Sequence, residues 1–500
     1  MNGNILKLID NFLFSKKVAL NINGEVGDLR RSSDYGLPQG SALSPILFRI
    51  YLMDLLEEVV DSEHISLYKF ADDGTIKVTG ESTEQCMSTV KNVIKLLEKW
   101  ISKWRMVVNC QPDKTEYICF GTAERNDGDI PDTLLLGDKV IKRVKKTKVL
   151  GLTMDEKLTY KDHSNILYKK LLTRWTLVRK YSNRNWGLNQ RVMVQLIKTL
   201  FVPSLSYAGH IWMKPNNMGD INGLWYKIIK ASIGAVYNIK LSTGELILGL
   251  PPLHIQNEIN RIKHFLKIVI NSSPGDRYKE FIVSSLNNQQ GPQLLVKHMR
   301  DVYKYLRWKL VSHPTHFTNQ DTEIVQNCDI NQIFLLTPKA VSYTKSSVTK
   351  YTELMWSASL KNEYILNGDI HIPNPSISNL PIPRETPRQK EVLLMSTFYS
   401  NNLMNNFLHK VNRNISPLCP ACGLEEQTAF HILRKCPAVP NELTEEVYQS
   451  MLHTVGEPEV NLEDNTTLIN CSRSQNFINS VLKVIEVVDL RTSIDIHNMD

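Results

Sequence analysis

Between His163 and Gly219 the chain has no aspartate and no glutamate, yet it carries nine lysines and arginines. A solvated helix face mixes both signs, so this absence points to an anionic partner such as nucleic acid. The acids gather at the other end: from Asn441 to Asp500 there are eleven, against three Lys or Arg. That acidic tail is unsuited to direct phosphate contact. Cysteine is scarce, with eight in 500 residues, and Cys86, Cys110, Cys119, Cys328 and Cys471 are scattered. Such spacing excludes the framework of a disulfide-stapled secreted protein and suggests a reducing compartment. Met1 to Asp10 lacks a signal peptide's apolar core, and no apolar run is long enough to span a bilayer. An intracellular protein of nucleus or cytoplasm, without a membrane partner, is the expectation. The 42% hydrophobic content supplies core for about two to four domains.

What is present centres on Lys69 to Gly74, where Asp72 and Asp73 stand between short alternating runs. Alternation on both flanks, with Asp-Gly between them, predicts a hairpin with both carboxylates at its tip and directed to different sides. Two fixed carboxylates suit Mg²⁺, a hard cation that prefers oxygen and keeps several waters. As an isolated occurrence, Asp-Asp-Gly is ordinary solvated turn chemistry. Upstream, however, Gly36 to Pro45 (Gly-Leu-Pro-Gln-Gly-Ser-Ala-Leu-Ser-Pro) is a glycine-flanked loop feeding a helix. Ser44 is expected as its N-cap with Pro45 at the first helical position. Ile46, Ile50, Met53 and Leu56 follow at helical spacing, predicting a buried face.

The pairing of that loop with Phe70-Ala-Asp-Asp73 resembles the palm of a non-LTR (LINE-type, jockey-like) retrotransposon reverse transcriptase. Later segments match in order: an amphipathic helix from Glu84 to Trp104, then Val108-Asn109 and Asp113-Lys-Thr-Glu116. Lys148 to Asp155 is similar to the family's primer-grip hairpin, His163 falls where a histidine is common, and Glu245 to Leu253 resembles a stretch beyond the thumb. The resemblance covers most of residues 15–265 and resumes near 388–437. It implies an α+β architecture: a partial palm of antiparallel sheet with helices over 1–155, a basic helical thumb-like region over 156–265, and a helical connection with a Pro-rich linker over 266–390. A zinc-binding module over 391–440 and an acidic tail with a helix over 441–500 complete it. Asn4 to Leu13 reads as an amphipathic helix, and Asn23-Gly24 as a turn after Val18 to Ile22. Residues 270–372 are the least informative and hold no well-spaced acidic set of an appended ribonuclease H domain.

The resemblance also implies chemistry: template-primed DNA synthesis by two-metal phosphoryl transfer, with an RNA template and a DNA primer as partners. Asp72 and Asp73 would ligate Mg²⁺, Gln39 and Gly40 would lie against template base and nucleotide, and Lys114 near the triphosphate. Gly151 and Leu152 would hold the primer end. A third carboxylate is expected on a strand upstream of the loop, and neither Asp10, Asp28 nor Asp34 has the right surroundings. The expectation is therefore a truncated element, or a reading frame that opens inside one, inactive in this form. The alternatives are a non-catalytic nucleic-acid-binding protein of retrotransposon origin and a degenerate reading frame.

Lys169, Lys170, Arg174, Arg179, Lys180 and Arg184 lie among Trp175, Tyr181 and Trp186. Such cations neutralise phosphates and aromatics stack on unpaired bases, although single tryptophans are more often core. Pro373, Pro375, Pro381, Pro383 and Pro387 predict an extended linker. Beyond it, Cys419, Cys422, His431 and Cys436 have the spacing of a closed tetrahedral Zn²⁺ site, structural because all four positions are filled. A short helix from Thr428 to Arg434 would present His431, and Phe477 to Val488 predicts an amphipathic helix packed on this module.

Overall fold

The computed structural model describes residues 3–14, 17–31, 36–55, 64–121, 130–235, 238–271, 293–328, 330–342, 345–366, 375–377, 380–398, 404–455 and 465–488. Asp34, Leu56 and Pro373 lie outside the described residues. The architecture is mixed α+β and divides into two compact units, Met1–Asp162 and His163–Asp500. Among the described residues no helix is long and apolar enough to cross a membrane.

The first unit is built on the Thr83–Trp104 helix. Ser82 starts it by accepting the Gln85 N–H at 3.1 Å, and Arg105 stops it in the left-handed conformation. Its apolar residues serve two cores. Met87, with Val90, Ile94, Leu97 and Ile101, packs on Ile130, Leu134, Leu136 and Ile141. Val93 and Leu96 pack on Ile65 and Ile76 of the aspartate hairpin, with Leu55. The strands form local ribbons: Asn21–Ile22 with Glu25–Val26, Lys17–Val18 with Arg30–Arg31, Ile65–Phe70 with Asp73–Val78, and Lys146–Val149 with Leu152–Asp155. A three-stranded sheet places Lys139–Arg143 between Glu116–Tyr117 and Thr133–Leu136. The expected palm is one antiparallel sheet; among the described residues none exceeds three strands, because each hairpin satisfies its pairing within its own turn and no strand bridges the ribbons.

Two expectations for the N-terminal part are corrected. The helix after the loop is Ser44–Tyr51, and Ile46, Ile50 and Met53 are exposed rather than buried. Helical spacing identifies a face but not what covers it, and here the buried contacts begin one residue after the helix, at Leu52. The Gly3–Leu13 helix exists with no buried residue. Ser44 is not the cap: its hydroxyl donates to the Pro38 carbonyl at 2.6 Å, fastening the loop instead, and Leu43 occupies the cap position without a side-chain bond.

The second unit is helical. Lys161–Arg179 is followed by Gln190–Leu196, which widens through a π turn at Ile197–Phe201 into Val202–Ser206, and then by Gly219–Ile233. Trp212, Trp225, Phe201, Met193, Ile197 and Ile221 fill its interior. Leu241–Leu248 is buried from Ser242 onward and is closed by Gly249 at φ +62°. A further helical layer, Leu253–Asn271 with Gln293–Ser312, Asn319–Asn327 and Lys345–Leu366, makes a separate core through Leu266, Leu306, Val325 and Tyr351. In it Asp321 accepts from the N–H and hydroxyl groups of both Thr318 and Thr337. The C-terminal helices Arg388–Ser396, Asn441–Val455 and Gln475–Val488 pack together, so the helix expected over 477–488 is present and docked. Arg388 pairs with Glu391 at 3.2 Å and donates to the Ser232 carbonyl at 2.6 Å, while Glu391 accepts the Gln190 N–H at 2.9 Å.

Glu245 is buried beside Trp225, whose indole donates to it at 2.8 Å. Burial raises its carboxyl, the indole bond opposes this, and the Glu363 carboxylate adds to it, leaving it at about 8. Unfolded, the group titrates near 4.5. As pH rises between those values the unfolded chain loses a proton that the folded chain keeps, so stability falls with pH, by at most about 1.4 kcal/mol per pH unit for one group. Glu245→Gln keeps the acceptor for Trp225 and removes the titration. Urea unfolding at pH 5 and pH 8 is expected to show a smaller stability loss between the two in the variant than in the parent.

Candidate functional site

The two candidate catalytic carboxylates sit on a tight hairpin. Phe70 pairs with Asp73 and Lys69 with Gly74, so the two-residue loop is Ala71-Asp72, not Asp-Gly as the flanking runs suggest. Ala71 takes the left-handed φ of +52° that lets so short a loop close. Asp72 is therefore at the tip and Asp73 opens the second strand; both side chains are exposed. The first strand is tied down because Lys69 Nζ donates to the Leu52 carbonyl. Among the described residues no third metal-binding side chain joins this pair.

The next turn after Leu52 holds a cluster that sequence reading missed. Asp54 accepts the indole N–H of Trp100 at 2.9 Å and of Trp104 at 2.7 Å, and Lys103 Nζ lies 3.5 Å away. The Trp100 bond leads in holding its carboxyl below the usual range. Trp104 also meets Tyr51 edge-on at 5.0 Å. This anchors the segment between the glycine loop and the aspartate hairpin to the long helix. The only signal in the sequence is the i, i+4 spacing of the tryptophans, which says nothing of a partner 46 residues away.

In the loop itself Gly36 and Gly40 have φ of +82° and +85°, conformations that glycine adopts without strain, and Gln39 is exposed between them. Lys114 is exposed in a turn whose N–H bonds to the Gln111 carbonyl. The Lys146–Asp155 hairpin turns at Leu150-Gly151, both with positive φ, while the Leu152 side chain is buried. Leu152 can therefore meet a primer only through its backbone. Asp155 then accepts from the backbone N–H groups of Lys157, Thr159 and Tyr160, shaping the entry to the Lys161–Arg179 helix. His163 is a buried core residue set edge-on to Trp212.

The basic residues separate by what they touch. Lys169, Lys170, Arg179 and Lys180 are exposed, and Arg184 is half-buried. Arg174 is not available to phosphates in the same way: its guanidinium donates to the Leu200 carbonyl and to Ser204 Oγ at 2.7 Å. Trp175 is core, as is usual for a tryptophan, whereas Trp186 is exposed.

Cys419, Cys422, His431 and Cys436 converge so that their ligand atoms all lie within 4.8 Å of one another. The first two come from a knuckle in which the Gly423 N–H bonds to the Cys419 carbonyl at 2.7 Å, and Gly423 takes φ +69°. Leu418 bridges Glu426 across it. His431 and Cys436 come from a wide helical turn, His431–Lys435, started by Thr428, whose hydroxyl accepts the His431 N–H at 3.0 Å. Cys422 Sγ lies 3.3 Å from His431 Nε2, and Glu425 Oε2 lies 3.1 Å from Nδ1, which turns Nε2 toward the thiols. Burial opposes ionisation of Cys422, but the backbone N–H groups of Leu424 and Glu425, with His431 and Cys436, bring it to about 7. Three sulfurs and one imidazole suit a borderline-soft divalent metal.

Residues 3–154 match the family described as Reverse transcriptase (RNA-dependent DNA polymerase). That match falls within the first compact unit. The chain is 22% identical over 419 residues to a retrovirus-related Pol polyprotein from type-1 retrotransposable element R1 of Bradysia coprophila, covering 83% of this chain and 36% of that one. Residues 3–154 carry a reverse transcriptase domain, and the chain is similar to polyproteins and polymerases of mobile elements. The RNA-directed DNA polymerase from mobile element jockey of Drosophila melanogaster is 22% identical over 53% of this chain and 29% of its own length. For the probable RNA-directed DNA polymerase from transposon X-element of the same species the figures are 22%, 58% and 30%. The chain thus spans about a third of the length of these relatives. The R1 alignment is longer than the first unit, so the family likeness extends into the helical unit.

Since Arg174 is tied to the helix it faces, Arg174→Ala is expected to destabilise by about 0.5–1.5 kcal/mol, the net worth of a typical hydrogen bond between partly buried groups. Denaturant unfolding of the full chain measures this.

Proposed function

We propose that the chain supplies the palm of an RNA-directed DNA polymerase that extends a DNA primer along an RNA template. The observation that carries this reading is the Asp72–Asp73 tip, presented to solvent on a braced hairpin within the reverse-transcriptase domain. Two exposed carboxylates are hard oxygen donors that leave room for water and phosphate, which fits Mg²⁺. Mg²⁺ there would supply charge neutralisation at the primer hydroxyl and the transferred phosphate. Asp72 and Asp73 would position that charge. Gln39 and Gly40 would line the template–nucleotide contact, Lys114 would meet the triphosphate, and the Gly151 turn with the Leu152 backbone would steady the primer end. The five-part division at 155, 265, 390 and 440 is the organisation proposed for these roles.

Two carboxylates hold one metal well and a second poorly. The 500-residue polypeptide alone is therefore expected to extend a primer no better than its Asp72→Ala variant, because losing one such electrostatic contact costs about a hundred- to a thousandfold. A form of the protein in which a third carboxylate stands beside Asp72 is expected to work, and Asp72→Ala should abolish its activity. Extension on an RNA template that survives Asp72→Ala would overturn the polymerase reading. A second reading, a nucleic-acid-binding protein without catalysis, is favoured by the exposed Lys169, Lys170, Arg179 and Lys180 in an acid-free segment. It stands if the form with a third carboxylate binds nucleic acid yet never extends a primer.

We further infer that Cys419, Cys422, His431 and Cys436 hold one structural Zn²⁺. The donor set is complete without water, and Glu425 orients the imidazole from behind, as outer carboxylates do in zinc sites. Native mass spectrometry of the full chain is expected to show one zinc that a chelator removes. Cys422→Ser should lose it; an unchanged zinc mass in that variant would sink the assignment.

A further inference from the structure

The loop that follows the Lys161–Arg179 helix has a construction that its sequence does not announce. Tyr181 donates its N–H to the Val178 carbonyl at 3.0 Å, and its own carbonyl accepts the Leu188 N–H at 2.8 Å, closing the loop on itself. Inside it, Asn183 Oδ1 accepts the N–H of Asn185 at 2.8 Å, and the Asn183 carbonyl accepts that of Gly187 at 3.0 Å. A Cβ at Gly187 would lie 2.2 Å from the Asn183 oxygen and 2.7 Å from the Tyr181 oxygen. No residue with a side chain fits there, so the tight form of the loop is built in. Asn189 then caps the next helix by accepting the Val192 N–H at 2.9 Å.

This rigid loop carries its aromatic rings outward. Trp186 is 67% exposed and Tyr181 57%, while Trp175 of the preceding helix is buried. Leaving an indole in water forgoes about 1.5–3 kcal/mol of burial that a large apolar side chain normally gains. The surroundings are cationic: Arg179 and Lys180, which directly precede Tyr181 in the chain, are exposed, and the whole segment from 163 to 219 is acid-free. Arg184 within the loop also stands close enough to Lys230 to add to the effect of burial in lowering that ammonium's proton affinity. Crowded cations next to free aromatic faces complement one kind of molecule, a polyanion with unstacked rings. Duplexes hide their base faces in the stack, whereas single strands offer them.

We propose that the Tyr181–Leu188 loop is a stacking platform for an unpaired nucleotide of single-stranded RNA or DNA. Trp186 provides the ring face, and Arg179 and Lys180 contact the flanking phosphates. The proposal rests on the nucleic-acid reading of this chain and adds the site and the strandedness it selects. Pre-organisation is the point of the locked loop: the ring needs no reordering when a base arrives.

The test is binding of fluorescein-labelled single-stranded oligo(dA), and of the matching duplex, to the full chain by fluorescence anisotropy across a salt series. Trp186→Ala is expected to weaken single-strand binding by about five- to a hundredfold. Duplex affinity should hold, and the salt slope should stay the same because no phosphate contact is removed. Trp186→Phe should retain most of the affinity, while Lys180→Glu should lower both affinity and slope. Trp186 is exposed, so its truncation leaves the core intact. If Trp186→Ala binds the single strand as the parent does, or loses single strand and duplex alike, the platform is overturned and the nucleic-acid reading stands. If the parent binds neither probe, both are overturned.

Discussion

The helical unit depends on one buried ion pair, Arg388 with Glu391, because it joins stretches that lie some 150 to 200 residues apart in the sequence. Removing two charges from water costs several kcal/mol each, and hydrogen bonds beyond the pair itself help to offset that cost. Here the partners are helix ends. Glu391 faces the N-terminus of Gln190–Leu196, and Arg388 faces the last carbonyls of Gly219–Ile233, so each charge meets the end of the helix dipole that favours it. Burial still raises the Glu391 carboxyl, against the Gln190 N–H and Arg388, so the balance is close. Gly234 completes the fit: it ends the helix at φ +74°, and a Cβ there would sit 2.6 Å from Val392. Through the Arg388–Ser396 helix the same junction carries Gln475–Val488 and the cysteine-rich turn.

The polymerase-like unit has a different organiser, the Thr83–Trp104 helix. One side supports the small sheet and the other the aspartate hairpin, so the carboxylates are positioned by apolar contacts of Val93 and Leu96 with Ile65 and Ile76. Asp54 adds a polar anchor at the C-terminal end of that helix through two indoles. Asp72 and Asp73 can thus remain exposed while the strands beneath them are held.

Much of this was legible in local pattern. The long helix, the Asn23-Gly24 turn and the helix over 477–488 follow from periodicity and turn chemistry, while the hairpin within 148–155 was expected from the family resemblance. The cysteine cluster followed from spacing, because a knuckle and one helical turn are short-range objects. What was misread concerned partners. Ile46, Ile50 and Met53 are correctly spaced for a buried face and are exposed; Arg174 is basic like its neighbours and is tied to a helix; Trp186 is a tryptophan in a helical region and points outward.

The sequence by itself determined the reverse-transcriptase match of residues 3–154, the two adjacent aspartates, the Cys-Cys-His-Cys spacing and the order of helices and hairpins, since each depends on residues within a few positions of one another. Only the tertiary structure decided that Ala71-Asp72 is the loop, that Asp54 is gripped by Trp100 and Trp104, and that Arg388 and Glu391 meet two helix ends. It also decided which cations and aromatic rings are exposed. Burial and long-range pairing are properties of the packed chain, and no spacing rule along the sequence encodes which surface a side chain will meet.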